Sequence, residues 1–308
     1  MVVHYSLENI IKPNAIALGN FDGIHQGHKT VIKPIFEQFN NHQVCPTLVT
    51  FFPHPQEFFS GEKKQLLTPL EEKQELLAQL GIKQLILLPF DRELASLSAP
   101  HFVQNILVEK INAKYISVGE DFCFGYRRQG NAEDLQQLAE KNGVKVNITK
   151  EEKIRFQDNL IRISSSAIRE GLKEGNLELV KAMLGRHYSL IGKVVEGDKI
   201  GRTIGFPTAN IEVNSRKFLP RKGVYAVIVE VDKKIIRGVM NRGERPTVSG
   251  LETTNEIHLL NWSENLYNKV IKVNLIQYLR SEQKFNSLNE LKQQINLDCQ
   301  RTSQLIKL

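Results

Sequence analysis

Cysteine is scarce in this sequence: Cys45, Cys123 and Cys299 are odd in number and far apart, a pattern that suggests neither a disulfide framework nor a cysteine-based zinc site. Long hydrophobic runs are missing too. The longest, "QLILLPF" from Gln84 to Phe90, is far short of the roughly 20 residues that span a bilayer. The first residues show no basic stretch ahead of an apolar core, and neither repeats nor low-complexity segments interrupt the chain. These absences point to a soluble protein of the reducing cytoplasm with no membrane partner. What is present is globular in composition: 308 residues, 41% hydrophobic and 24% charged, give room for two domains with ordinary cores.

The formal charge of +7 is unevenly placed. Residues 186–308 hold 20 Lys+Arg against 12 Asp+Glu, whereas residues 1–185 hold 21 against 22. A basic second half suits nucleic acid or phosphate-bearing small molecules. Runs of Lys/Arg interleaved with aromatics are missing, which favours the small molecule and sets nucleic acid well below it.

Hydrophobic patterning divides the chain at the same place. Short apolar strands at Ala15–Leu18, Pro46–Phe51, Gln84–Leu88, Tyr115–Val118 and Val144–Ile148 alternate with helical segments, which predicts a parallel sheet with helices on both faces. Thr68-Pro69-Leu70-Glu71 reads as a capping box with proline at the first helical position, ended by Gly81, and Ser98 reads as a second N-cap. Helices follow near Ser165–Gly171 and across "LELVKAML". From Ser189 the texture changes to closely spaced β-branched runs split by Gly, Pro, Asp and Asn, which predicts an antiparallel barrel or sandwich. Ser287-Leu288-Asn289-Glu290 is a capping box for a terminal helix. The predicted domains are 1–185 and 186–308.

The most informative stretch is "GNFDGIHQGHKTVI", residues 19–32. A buried strand runs into Gly19, Gly23 and Gly27, with His25 and His28 three apart and on one face of a starting helix. The P-loop is excluded because His28 separates Gly27 from Lys29 and no glycine stands five residues before Gly27; the G-x-G-x-x-G spacing is absent as well. What remains is a strand, a glycine turn and a helix start, where backbone N–H groups and two imidazoles can bind phosphate.

"GNFDGIHQGH" resembles the G-x-F-D-G-x-H-x-G-H signature of the nucleotidyltransferase superfamily. Further motifs, in order, make essentially the whole chain similar to the bacterial bifunctional riboflavin kinase and FAD synthetase family: "TFFPHPQEFF" (50–59), "VGEDFCFGYRRQGN" (118–131), "ISSSAIREGL" (163–172), "GRTIGFPTANI" (201–211), "GVYAVIV" (223–229), "NRGERPTV" (241–248) and "NEIHLL" (255–260). The resemblance implies an N-terminal Rossmann-like nucleotidyltransferase domain that adenylylates FMN, followed by a C-terminal antiparallel β-barrel that phosphorylates riboflavin. Its substrates would be ATP, riboflavin and FMN, with Mg²⁺.

Residue by residue, the resemblance places Gly19, Phe21, Asp22, His25, Gly27 and His28 at ATP in the first domain, with Ser164, Ser165, Ser166 and Arg169 on its β- and γ-phosphates. The two histidines are the catalytic candidates there. Pro53, His54, Pro55, Asp121, Phe122, Phe124, Gly125 and Arg128 are assigned to the flavin. In the second domain Gly197, Lys199, Gly201 and Arg202 would cover ATP, Thr208 and Asn210 would meet the metal, and Arg280 would lie beside the flavin. Glu256 is the catalytic candidate: the riboflavin hydroxyl is neutral and needs a proton acceptor, whereas the phosphate of FMN is already anionic and needs none. Departures from the family pattern include Ser166 for threonine, Glu120 for aspartate, Phe52 for glutamate, Met240 and Arg242 for smaller or apolar residues, and Asn268 for glycine. The competing readings are an adenylyltransferase whose barrel binds flavin without reacting, a nucleotidyltransferase with a non-flavin acceptor, and a basic nucleic-acid-binding protein.

Overall fold

The computed structural model describes residues 1–41, 43–197, 205–247 and 250–307. By packing, these fall into two compact units, Met1–Ser165 and Ser166–Leu308.

The first unit is built on a six-stranded parallel sheet. Its elements are β1 (Val2–His4), β2 (Asn14–Leu18), α1 (Gln26–Ile32), α2 (Pro34–Asn41), β3 (Cys45–Phe52), α3 (Pro55–Ser60), α4 (Leu70–Gln79), β4 (Gln84–Pro89), α5 (Arg92–Ser96), α6 (Ala99–His101, continued as a π-helix over Phe102–Lys110), β5 (Ala113–Gly119), α7 (Ala132–Glu140), β6 (Lys145–Thr149) and a hairpin of β7 (Lys153–Phe156) and β8 (Asn159–Arg162). All five strands expected from the apolar runs are present; the edge strand β1 was not expected. The sheet order is β1-β4-β3-β2-β5-β6.

Period two explains why both faces are buried. Ile16 and Leu18 join Val49, Ile86, Leu88, Ile116 and Val118 in one core, while Ala15 and Ala17 join Leu48, Leu85 and Leu87 in the other, under Ile32 and Ile35. The direction of winding reverses between β2 and β5. In an open α/β sheet that switch point, at the carboxyl ends of the strands, is where ligands bind. The turn that begins at Gly19 leaves β2 there, and the 119–125 loop leaves β5 beside it.

The capping box expected at Thr68 does not form. Pro69 is the N-cap of α4 and makes no side-chain cap. Instead the Thr68 hydroxyl accepts the Gly23 N–H at 2.9 Å and its own N–H donates to Asp22 Oδ1 at 3.1 Å. A hydroxyl drawn to a tertiary partner is lost to the helix end. Gly81 does close α4, at φ +94°, and Ser98 caps α6.

Helix α8 (Ser165–Glu174), all but its first residue in the second unit, is followed by α9 (Leu177–Leu184), and Gly185 ends α9 in the left-handed region. Strands β9 (Tyr188–Val195), β10 (Ala209–Val213), β11 (Gly223–Val231), β12 (Lys234–Thr247), β13 (Gly250–Leu259) and β14 (Val270–Arg280) close into an antiparallel barrel ordered β10-β13-β12-β11-β14-β9. The terminal helix α10 (Leu288–Leu305) is capped by Ser287, and the tail residue Ile306 packs with Val224, Ala226 and Val239. Glu290 completes that cap one residue early, accepting the Asn286 N–H.

Candidate active sites

At the end of β2 the backbone turns sharply, with Phe21 at φ +48°, Gly23 at +97° and Ile24 at +42°. Left-handed geometry is unusual for a β-branched residue, so the turn has to be held from outside. Three side chains hold it. Thr68 takes the Gly23 N–H, Lys73 Nζ donates to the Asn20 carbonyl at 2.9 Å, and Thr50 Oγ1 donates to the same carbonyl at 3.2 Å. Asp22 is buried, with its carboxylate on the Thr68 N–H and its carbonyl accepting the Ser165 hydroxyl at 2.7 Å.

His25 is the N-cap of α1 and only 5% exposed. Its Nδ1 accepts the His28 N–H at 3.2 Å, which leaves the ring proton on Nε2. The His25 and His28 rings stack with centroids 3.5 Å apart, and Phe21 meets His28 edge-on. The structure therefore brings together both histidines, Phe21, Asp22 and the glycine turn, as the sequence suggested. A Cβ at Gly27 would just reach van der Waals contact with the His25 ring.

Lys73, Thr68 and Thr50 were missed as site residues. Lys73 carried a signal: it lies three after Leu70 and four before Leu77, on the apolar stripe of α4, where a charged residue needs a reason.

The flavin candidates come from the ends of β3 and β5. His54 is the N-cap of α3, taking the Gln56 N–H, and Pro55 is its first residue. Burial, with the Lys64 charge adding to it, lowers the His54 pKa to about 4, so the ring is neutral. Asp22 and Lys73 also act on this ring, which ties it to the phosphate turn. In the 119–130 loop, Phe122 and Phe124 stack 5.7 Å apart, and Phe124 and Gly130 exchange backbone hydrogen bonds. Gly125, at φ +74°, leaves no space for a Cβ against the Ala99 backbone. Arg128 lies in the same bend, and Asp121 is paired with Arg162 at 2.9 Å.

Ser165 starts α8 with its hydroxyl committed to Asp22. By packing, Ser166 and Arg169 belong to the second unit, where the Arg169 guanidinium lies over Phe218.

In the barrel, cross-strand register sets Glu256 on β13 directly opposite Asn210 on β10 and Asn241 on β12. Side chains in register share a face, and Glu256 and His258 are half-buried while Ile257 and Leu259 are buried. His258 Nδ1 meets the Pro207 carbonyl at 2.9 Å, anchoring the segment that carries Thr208. A Cβ on Gly197 would collide with the Asn210 amide, so glycine is required for that approach. Lys199, Gly201 and Arg202 lie outside the described residues. Arg280 is engaged within the unit: it forks onto Asp298 of α10, with a shortest contact of 2.8 Å, and lies over Phe285.

Comparison with known proteins matches a FAD synthetase family model to residues 7–167 and a riboflavin kinase model to residues 184–306. The bifunctional riboflavin kinase/FMN adenylyltransferase of Escherichia coli (strain K12) is 39% identical over 285 residues, covering 92% of this chain and 90% of that protein. Its counterpart from Bacillus subtilis (strain 168) is 35% identical over 302 residues, covering 96% and 94%. A crystal structure described as a macrolide-efflux protein from Streptococcus pneumoniae superposes with a TM-score of 0.86 at 28% identity over 98% of both chains. Among the described residues of the present chain, no helix is long and apolar enough to cross a membrane. Matched along nearly its whole length, through both halves and in the same order, the chain belongs to the bifunctional riboflavin kinase/FMN adenylyltransferase family.

Proposed function

We infer that this chain phosphorylates riboflavin with ATP to give FMN and then joins FMN to the adenylyl group of a second ATP, giving FAD and pyrophosphate. The observation that carries the reading is that one chain holds both a stacked imidazole pair at a sheet switch point and a barrel with a carboxylate set between two asparagines. We assign adenylyl transfer to residues 1–185 and phosphorylation to residues 186–308. The enzyme works in the cytoplasm on small molecules, and nucleic acid is not among its partners.

In adenylyl transfer a phosphate oxygen of FMN attacks the α-phosphorus of ATP while the bond to the pyrophosphate oxygen breaks. Two anionic groups have to be brought together, so orientation and donated hydrogen bonds dominate. His25 donates from Nε2, His28 donates beside it, and Gly19, Phe21, Asp22 and Gly27 shape the turn that receives the triphosphate. Ser164, Ser165, Ser166 and Arg169 take the β- and γ-phosphates; with its hydroxyl on Asp22, Ser165 contributes its backbone N–H. Pro53, His54, Pro55, Asp121, Phe122, Phe124, Gly125 and Arg128 hold the isoalloxazine ring, the aromatic rings as walls and the polar groups at its edge.

In the barrel Glu256 accepts the proton of the riboflavin hydroxyl as the hydroxyl oxygen attacks the γ-phosphorus, and the bond from that phosphorus to the bridging oxygen breaks to release ADP. Gly197, Lys199, Gly201 and Arg202 cover the ATP, and Arg280, positioned by Asp298, borders the flavin. The oxygen side chains of Thr208 and Asn210 suit a hard cation, with the Glu256 carboxylate opposite Asn210 in register, and Thr208 and Asn210 would hold Mg²⁺. When bound, that ion supplies charge neutralisation on the transferred phosphoryl group.

The test is a time course with riboflavin, ATP and Mg²⁺ followed by chromatography. FMN should appear first and FAD after it. FAD formed only when FMN is supplied would mean a barrel that binds flavin without reacting, and no FAD from supplied FMN would overturn the flavin assignment.

A further inference from the structure

Lys73 is the buried cation of the first unit for which neither the motifs nor the mechanism above supplies a role. It sits one turn into α4, 8% exposed, and its ammonium reaches across to the carbonyl of Asn20, the second residue of the phosphate turn. We propose that Lys73 is a positioning residue for adenylyl transfer, fixing the peptide plane that carries the Phe21 N–H. The proposal rests on the reading of this turn as the triphosphate site.

The argument is geometric. In a trans peptide the C=O and N–H vectors are antiparallel and share one plane. Drawing the Asn20 carbonyl toward α4 therefore points the Phe21 N–H away from α4. A charged donor on that carbonyl also polarises the peptide, which makes its N–H a stronger donor to an anion. Phe21 sits at φ +48°, so this plane is in a conformation the chain does not favour by itself. The peptide plane two further on is fixed in the same manner from the same helix start, because the Gly23 N–H is held by Thr68. The start of α4 thus acts as a backing plate, with Lys73 and Thr68 orienting alternate peptides of the turn and Thr50 adding a second donor to the Asn20 carbonyl. Lys73 itself touches no reacting atom in this scheme.

The test uses the full chain with Lys73→Met, which keeps the length and removes the charged donor, and Lys73→Gln, which keeps a neutral one. Two reactions are measured on each variant: FAD formation from FMN and ATP, resolved into kcat and KM, and FMN formation from riboflavin. We expect kcat for FAD formation to fall about 10–10²-fold in Lys73→Met and by less in Lys73→Gln, since small displacements of positioned groups act on the transition state. KM for FMN should stay within about threefold, and FMN formation should be unchanged. A merely structural lysine would instead lower the unfolding temperature and leave kcat per folded molecule intact. Wild-type kcat in a folded Lys73→Met, or equal loss of both reactions, overturns the proposal. Should Lys73→Met not fold, a kcat for Lys73→Gln within about twofold of wild type overturns it. Absence of FAD formation by the wild-type chain would overturn the reading of the site itself, which separates the two failures.

Discussion

His25 has two duties that can be pulled apart. As N-cap of α1 its Nδ1 accepts the His28 N–H, and as a buried ring stacked on His28 it presents Nε2–H to an anion. Replacing a capping side chain by alanine costs about 1 kcal/mol of stability, whereas asparagine is among the best caps and takes the same N–H with its amide oxygen. Losing a donor aimed at developing charge costs about 2.7–4 kcal/mol in the transition state, or about 10²–10³-fold in kcat. His25→Ala should therefore lose both the cap and the catalysis, and His25→Asn only the catalysis. The assay is FAD formation from FMN and ATP, with riboflavin phosphorylation in the same sample as the internal reference and thermal unfolding as the stability measure. Both variants should retain FMN formation, and only the alanine variant should unfold at a lower temperature. If His25→Asn returns FAD formation to within about threefold of wild type, the ring serves as a cap and not as a donor, and the reasoning fails.

Glu256→Gln keeps the shape of the barrel site and removes its proton acceptor; FMN formation should drop about 10²–10⁴-fold while FAD formation from supplied FMN persists, both read by chromatography. Asp298→Ala removes the buried carboxylate that holds the partly exposed Arg280 guanidinium; breaking a fully buried pair costs about 3–5 kcal/mol and this one should cost less, so the barrel unit should unfold at lower denaturant while the first unit keeps its transition. His54 binds no proton in the folded protein until about pH 4, but does so near 6.5 when unfolded; the first unit should lose stability as pH falls through that window and change little from this residue below it. Denaturation midpoints across pH 4–6.5 should show a shallower slope for His54→Gln than for wild type. His187 is lowered by burial as well, so the difference between variant and wild type, not the absolute slope, carries the test.

The fold was legible because its signals are local and repeated. Alternation along β2 distinguishes Ala15 and Ala17 from Ile16 and Leu18 and places them in opposite cores, and the shift to closely spaced β-branched runs after Ser189 announced the barrel. β1 escaped notice because three half-exposed residues at an edge leave no period to read. At the site, the turn with its histidine pair was legible because glycine spacing and a helix start are sequence-local. The devices that hold the turn were not. Thr68 has the same sequence context whether it caps α4 or holds Gly23, and the choice depends on where β2 ends relative to α4. Lys73 looks like a solvated lysine until the apolar stripe from Leu70 to Leu77 is laid out around it.

The two reactions set opposite requirements, and each scaffold meets the one its geometry allows. Joining two phosphates needs oriented donors and no base near the attacking oxygen. A strand-turn-helix at a parallel switch point offers backbone N–H groups and imidazoles, and the carboxylate within the turn, Asp22, is buried against the Thr68 N–H. Phosphorylating an alcohol needs a carboxylate beside the nucleophile, and a barrel strand supplies it by alternation: Ile257 and Leu259 fill the interior while Glu256 faces the other way, between Asn210 and Asn241. The acid is kept inside in one unit and half-exposed in the other. A carboxylate placed to accept the riboflavin proton repels the phosphate of FMN, so the two reactions pull the design of a site in opposite directions.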